Sequence, residues 1–349
     1  MKKRKVTIRD VAAAAGVSLM TVSRAIHGRP GVGEELQRKI ATLAAEMGYV
    51  PNRIAGQLGQ QKSPMTVGVV IPHLANTIFP DILQSIETVL SANGYRILLC
   101  CSYNNPIKEF QDVSALLERQ SDGIIWCPVL LDESRRAAEL IRSQHCPLVF
   151  LDRRLPEFPA DAALVDDFNG MLSAVRHLTG QGISRIAYLG PRLESYVARE
   201  RRSGFLAALA EAGVPAREEW MLRIGSDIAS GRSGAARLLE AGEVPEAVCC
   251  FNDPLAIGVE QELLERGVPV PEQVALTGFS GTVESEIAQV PVTSVFQDAP
   301  GLGTAAAELL LNRMINPEVK LTPVERVLKT HLIVRASSLA KRAKQAAEE

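Results

Sequence analysis

Along most of the chain, short continuous apolar runs alternate with longer stretches whose apolar residues recur every three or four positions. Val67–Ile71, Arg96–Cys101, Gly123–Trp126 and Leu148–Leu151 are runs of strand length with little polar alternation, the pattern of strands covered on both faces. Between them the wider spacing predicts helices over Phe79–Ala92, stopped by Asn93-Gly94, and over Ile107–Arg119 and Ser134–Ser143. A second series follows, with strands near Ala163–Val165, Ile186–Leu189, Ala247–Phe251 and Ala275–Gly278. Its helices are expected near Gly170–Gln181, Arg199–Ala212, Ser233–Glu240 and Leu255–Arg266. Two successive series of this kind predict an α/β body of two doubly wound parallel-sheet lobes. Such sheets bind ligands at the carboxyl ends of their strands, which for two facing lobes means the cleft between them. Pro291–Phe296 and the helix from Gly301 are expected to cross back to the first lobe, and Leu328–Val334 to return to the second.

The opening residues follow another pattern, all helical. Thr7 is an N-cap candidate that Asp10 can answer three residues later, and Ile8, Val11, Ala12 and Ala15 share one helical face. Gly16 breaks that helix by allowing a left-handed turn, Val17 packs, and Ser18 can cap a second short helix, Leu19–His27. Helix, glycine turn and helix in so few residues is the helix-turn-helix arrangement, with Val11, Val17 and Val22 expected in its core.

Charge separates the two regions. The formal net charge is −2, but residues 1–62 hold 11 Lys and Arg against 4 Asp and Glu, a net of +7, leaving −9 on the rest. A small basic head on an acidic body implies that only the head meets a polyanion. At 349 residues, with 46% apolar and 22% charged residues, the chain has the length and composition of a soluble protein of two or three globular units. Its apolar runs are far shorter than the roughly 20 residues of a membrane helix. Met1-Lys2-Lys3-Arg4-Lys5 leads into a polar, helical segment, so neither signal peptide nor anchor is expected, and the expected place is the cytoplasm, at the nucleoid. The six cysteines show no CxxC spacing and no histidine at metal distance. They read as buried structural thiols, and neither metal nor cofactor is expected.

The wording of the head is specific. Ile8-Arg9-Asp10-Val11-Ala12, Ala15-Gly16-Val17-Ser18, Thr21-Val22-Ser23-Arg24 and Gly48-Tyr49-Val50-Pro51-Asn52-Arg53-Ile54-Ala55 closely resemble the head of the LacI/GalR family of transcriptional regulators. The resemblance implies that the second helix lies in the major groove of a palindromic operator. It implies DNA contacts by Thr7, Ser18, Leu19, Met20, Thr21, Ser23 and Arg24. Met20 is an apolar residue and would favour a thymine methyl or a shape fit over a donor–acceptor pattern. Pro51–Leu58 resembles the family's hinge helix, where Asn52, Arg53 and Ala55 would contact DNA and Leu58 would wedge into the minor groove. Gly56 weakens that helix by about 1 kcal/mol relative to Ala, and an ordinary linker is the alternative. The organisation expected is a helix-turn-helix domain at 1–51, hinge and linker at 52–63, a two-lobed effector and dimerisation domain at 64–335, and a polar tail at 336–349.

Residues 64–335 resemble the family's effector domain, a relative of periplasmic sugar-binding proteins. Asn252-Asp253-Pro254-Leu255-Ala256-Ile257-Gly258 and Arg201-Arg202-Ser203-Gly204-Phe205 match its signatures. The resemblance implies a ligand set of Phe79, Asp152, Arg201, Asn252, Asp253, Ser280 and Gln297, with Asp253 serving in part as a helix cap, and Arg199 and Arg202 solvated or bridging the lobes. Asp166-Asp167 reads as a solvated pair at a loop mouth. After Gly278-Phe279 the family carries an aspartate, and here Ser280-Gly281 stands instead. Loss of that carboxylate beside Arg201 admits an anion. This is also the pattern of gluconate-responsive members, so a sugar acid such as gluconate is the leading effector and a neutral sugar the alternative. No phosphate loop, nucleophile elbow or metal-spaced histidine pair supports an enzyme. A bare solute-binding protein leaves the head unexplained, and a bare nucleoid binder leaves the body unexplained. The tail lacks leucine heptads, so the expected assembly is a homodimer.

Overall fold

The structure, a computed structural model, describes residues 6–26, 30–49, 64–75, 78–129, 132–192, 195–316 and 322–339. The chain forms two compact units, Met1–Pro64 and Met65–Glu349. The expected hinge contacts Asn52, Arg53, Ala55 and Leu58 lie outside the described residues.

The head is three helices, α1 (Ile8–Ala15), α2 (Leu19–Ile26) and α3 (Glu34–Glu46). The Asp10 carboxylate accepts the Thr7 N–H and hydroxyl at 2.7 Å each, the capping box expected from the sequence. Gly16 turns the chain with φ 66°, and the Thr21 N–H donates to Ser18 Oγ at 3.1 Å to start α2. Val11, Val22, Ala25 and Ile40 form the buried centre, with Val17 half-buried beside them. A core this small leaves the outer face of α2 wholly in solvent.

The body holds two six-stranded sheets, which is the expected α/β class of two lobes. The first has the order β11-β5-β4-β3-β1-β2, from β1 (Thr66–Ile71), β2 (Arg96–Cys101), β3 (Gly123–Trp126), β4 (Leu148–Leu151), β5 (Asp161–Val165) and β11 (Glu325–Leu328), all parallel. The second has the order β12-β10-β9-β8-β6-β7, from β6 (Ile186–Pro191), β7 (Met221–Ile224), β8 (Ala247–Cys250), β9 (Ala275–Ser280), β10 (Thr293–Phe296) and β12 (His331–Ile333). Only β12 runs antiparallel there. On the first sheet, α4 (Ile78–Ala92) and α12 (Ala299–Ile315) cover one face, and α5 (Pro106–Glu118) and α6 (Asp132–Ser143) the other. On the second, α7 (Asp167–Thr179) and α8 (Tyr196–Glu211) cover one face, and α9 (Ile228–Glu240) and α10 (Asp253–Glu265) the other, with the short α11 (Val283–Glu286) after β9.

One expectation about the strands needs correction. Pro291–Phe296 does not cross back: β10 pairs with β9 in the second sheet, and only the following helix, α12, returns to the first lobe. Strands β7 and β11, not expected from the sequence, are both sheet edges, β11 with three of its four residues exposed. At the end of the described chain, Ser337 and Ser338 are fully buried. There Ser337 Oγ donates to the Leu276 carbonyl at 2.7 Å and accepts from the Thr293 N–H at 2.8 Å. The cysteines are all free; Cys127, Cys249 and Cys250 are buried, and burial holds their thiols protonated by raising the pKa, to about 12 for Cys249. Among the described residues no helix is long and apolar enough to cross a membrane, and no cluster could hold a metal ion.

Candidate functional site

On the head, the first turn of α2 breaks the rule that large apolar residues turn inward. Leu19 is 44% exposed and Met20 64%, one turn from the fully buried Val22. Thr21 and Ser23 are half-buried on the same short helix, Arg24 is exposed at its end, and Thr7 and Ser18 cap α1 and α2. The helix thus presents two apolar side chains, hydroxyls and a guanidinium on one accessible surface, the kit needed for thymine methyls, base edges and phosphate.

In the body, the signature residues are explained by close backbone approach. A Cβ on Gly204 would run into the Phe168 carbonyl, so this glycine lets α8 settle on α7. That approach brings Arg201, three residues earlier, onto Asp167: Arg201 Nε donates to Asp167 Oδ1 at 2.7 Å and Nη1 to the Phe251 carbonyl at 2.7 Å. The guanidinium also stacks 3.6 Å from the Phe279 ring centroid and is only 4% exposed. Gly258 plays the same part for α10, where a Cβ would strike the Ile228 carbonyl of α9. Asp167 is therefore not the solvated residue expected at a loop mouth. Asp166 is the cap, its carboxylate accepting from the Asn169 N–H at 3.2 Å, and Asp167 faces inward one residue later. Burial pushes the Asp167 carboxyl up to about 7, against the pull of Arg201 and with a further push from Asp152.

Asn252 and Asp253 serve the chain itself. Asn252 caps α10, Oδ1 accepting from the Leu255 N–H at 3.1 Å, while its Nδ2 donates to the Ser226 carbonyl at 2.9 Å. The cap is thus Asn252 and not Asp253. Asp253 is fully buried and ties the loop after β9 to β10, accepting from the Thr282 N–H at 2.7 Å and from Ser294 Oγ at 2.5 Å. Gly278 keeps space for it, since a Cβ there would collide with Asp253 Oδ1. Phe79 is buried in the first-lobe core at the start of α4. Asp152 follows β4 with φ 61°, its Oδ2 4.0 Å from Arg153 Nε, and burial raises its pKa while Arg153 and Arg201 lower it. Ser280, with φ 121°, ends β9, and its carbonyl accepts from the Gln297 N–H at 3.3 Å.

The carboxyl ends of the strands also collect polar atoms that the chain leaves unpaired. His73 Nδ1, Arg153 Nε, Asp167 Oδ2 and Gln297 Nε2 are buried without a hydrogen-bond partner. They follow β1, β4, β5 and β10, and so draw on both sheets. His73 is kept neutral by burial and by Arg153, which both lower its pKa. Of these four residues, sequence reasoning named only Gln297. His73 and Arg153 carry no motif, and the signal available for Asp167 was the Asp-Asp pair directly after a buried strand.

The sequence matches known proteins along nearly its whole length. Residues 7–52 match the family described as bacterial regulatory proteins, lacI family, and residues 175–338 match a periplasmic binding protein-like domain. The HTH-type transcriptional regulator DegA of Bacillus subtilis is 33% identical over 300 residues, covering 86% of this chain and 88% of its own. The HTH-type transcriptional repressor PurR of Mannheimia succiniciproducens is 29% identical, covering 95% and 98%. The lac repressor dimer bound to operator and the anti-inducer ONPF superposes with a TM-score of 0.82 at 27% identity, over 97% of this chain and 100% of that one.

Proposed function

We propose, for a chain that belongs to the LacI family of bacterial regulatory proteins, that operator binding is controlled by a small polyhydroxylated effector, a sugar or sugar acid, held between the lobes of the body. The chain is a DNA-binding transcriptional regulator of the repressor type, and members of this family act as dimers on operators. In the reading proposed here, α2 enters the major groove of a palindromic operator, Leu19 and Met20 meet base edges, and Arg24 holds phosphate. Homodimerisation is supported by exposed apolar side chains on both lobes: Leu99, Tyr103 and Ile107 at the edge strand β2 and beyond, and Val283 and Ile287 around α11.

One observation carries the effector site: four buried polar atoms, of His73, Arg153, Asp167 and Gln297, without a hydrogen-bond partner. Each costs about 1–3 kcal/mol while unpaired, and hydroxyls of a bound ligand supply both donors and acceptors. Arg201, Asp152 and Ser280 stand among them. Charge selects within the class. Two arginines face two aspartates, Arg201 with Asp167 and Arg153 with Asp152, which favours a neutral sugar. A sugar acid is the second reading, favoured by the raised pKa of Asp167: taking up a proton releases Arg201 for the incoming carboxylate. Gluconate would then bind with uptake of about one proton and more tightly at pH 6 than at pH 8, whereas a neutral sugar would bind with little pH dependence. The test is fluorescence anisotropy of an operator selected from random palindromes, titrated with neutral sugars and their acids at both pH values. Release by a neutral sugar alone fixes the first reading, pH-dependent release by an acid the second, and no release by any polyhydroxylated compound overturns both.

A further inference from the structure

Outside the cleft, the second lobe carries another polar cavity. It measures about 710 Å³ and lies between α8 and the strands β6 and β7, with β7 the uncovered edge of its sheet. That volume is within the range of small-molecule sites. Its walls hold Arg199, Arg202 and Ser203 from α8, Arg223 from β7, and Tyr188 from β6. Among the described residues, Glu218 is the one acidic residue lining it.

Two observations point to a ligand. Four other arginines of this lobe are matched with carboxylates: Arg176 with Glu211, Arg217 with Glu243, Arg232 with Glu262 and Glu265, and Arg266 with Glu262. Arg199 and Arg202, one helical turn apart, have no such partner among the described residues. Independently, Tyr188 lines the cavity, and its hydroxyl is buried without a hydrogen-bond partner on a side chain only 4% exposed. Gly190 makes room for it, since a Cβ there would press on the Tyr188 ring. Burial raises the phenol pKa, so the group stays a hydroxyl and can donate.

We propose that this cavity binds a small phosphorylated metabolite, its phosphate held by Arg199, Arg202 and Arg223 with the Tyr188 and Ser203 hydroxyls as further donors. Guanidinium forks match the oxygens of a phosphate monoester, and three of them suit a dianion better than a single carboxylate. Leu206 and Met221 offer apolar cover for the remainder of the ligand. The site stands back to back with the cleft: Arg201 points inward from the same turn of α8 that carries Arg199 and Arg202 outward. An occupant that shifts this turn also shifts Arg201, so the site couples to the effector through one rigid element.

The test is isothermal titration of the full-length protein with glucose 6-phosphate, glucose and inorganic phosphate. Variants are R199Q/R202Q and Tyr188→Phe at the cavity and Gln297→Ala in the cleft. The expected result is binding of a phosphate-bearing probe that falls at least tenfold in R199Q/R202Q, falls more modestly in Tyr188→Phe, and persists in Gln297→Ala. Preference for the ester over inorganic phosphate identifies the metabolite as the ligand. Equal competition identifies free phosphate and overturns the ester assignment. Binding that survives R199Q/R202Q but is lost in Gln297→Ala assigns the anion to the cleft and overturns the proposal, as does the absence of binding by either phosphate. Circular dichroism of the double variant, whose substitutions are both at exposed positions, checks that the fold persists.

Discussion

The head and the body place the residues proposed to bind DNA and effector in opposite environments. On α2, Leu19 and Met20 stand in solvent on a helix whose inner face is closed by Val22 and Ala25. In the body, Arg201, Asp167 and Gln297 are each less than 5% exposed and are held by contacts from several elements. A surface that reads a rigid polyanion needs side chains already free to reach, and their removal disturbs little else. A site that encloses a small ligand must be assembled from packed parts, so its residues are also structural. Function and stability are separable in the head and entangled in the body.

The largest effect that tests this contrast is expected from Asp167→Ala. It leaves the Arg201 guanidinium buried without its counter-ion, a change that costs about 3–5 kcal/mol. Urea denaturation of the variant should show that loss as a lower midpoint with unchanged slope. A cost below about 1 kcal/mol would mean that water or Asp152 serves Arg201 equally well, and the body would then be less entangled than the packing implies.

Next in size is Gly204→Ala, in which one methyl group meets the Phe168 carbonyl and separates α8 from α7. Overpacking of this kind costs about 1–3 kcal/mol. It should also weaken effector binding, because Arg201 is displaced from Asp167. Loss of stability with unchanged effector affinity would separate the two roles and break the comparison.

These residues mark how far the sequence could be read. The order of strands and helices was legible because strands buried on both faces leave continuous apolar runs, as at Gly123–Trp126 and Leu148–Leu151, both found with the expected limits. The edge strand Glu325–Leu328 leaves no such trace, with three of its four residues exposed to solvent. Arg201 was legible through its spacing from Gly204. Its partner was not, because Asp167 pairs across 34 residues and nothing local distinguishes it from the capping Asp166 beside it. Asn252 and Asp253 matched a signature, and in the structure they cap α10 and anchor a loop, a use that sequence alone does not separate from ligand contact.

A smaller effect is expected from pH. The Asp167 carboxyl is raised in the folded body by burial and by the nearby Asp152 and Glu200, with Arg201 opposing. A raised carboxyl binds its proton more tightly when folded. Its contribution is therefore fully present below the unfolded pKa of about 4 and is lost as pH rises towards 7. Between pH 5 and 8, wild-type stability should fall relative to Asp167→Asn, which has no proton to lose. Parallel stability curves for the two proteins across that window would place the Asp167 pKa at its ordinary value.

The smallest expected effect on stability is in the head, and there the effect on function is the signal. Met20→Ala removes an exposed side chain from the first turn of α2, where surface changes stay within about 0.5 kcal/mol. Its consequence should appear in operator choice instead, as a relaxed preference at one or two base pairs per half-site worth about 1–3 kcal/mol each. Arg24→Ala should behave differently, weakening binding to all sequences alike and lowering the slope of log affinity against log salt by about one. Selection of operators from a random pool by each variant, with salt titrations on the winners, separates base reading from phosphate anchoring. If Met20→Ala kept the sequence preference and lost stability, Met20 would be a packing residue exposed only in the isolated head. The division between a readable surface and an entangled cleft would then fail on its simpler side.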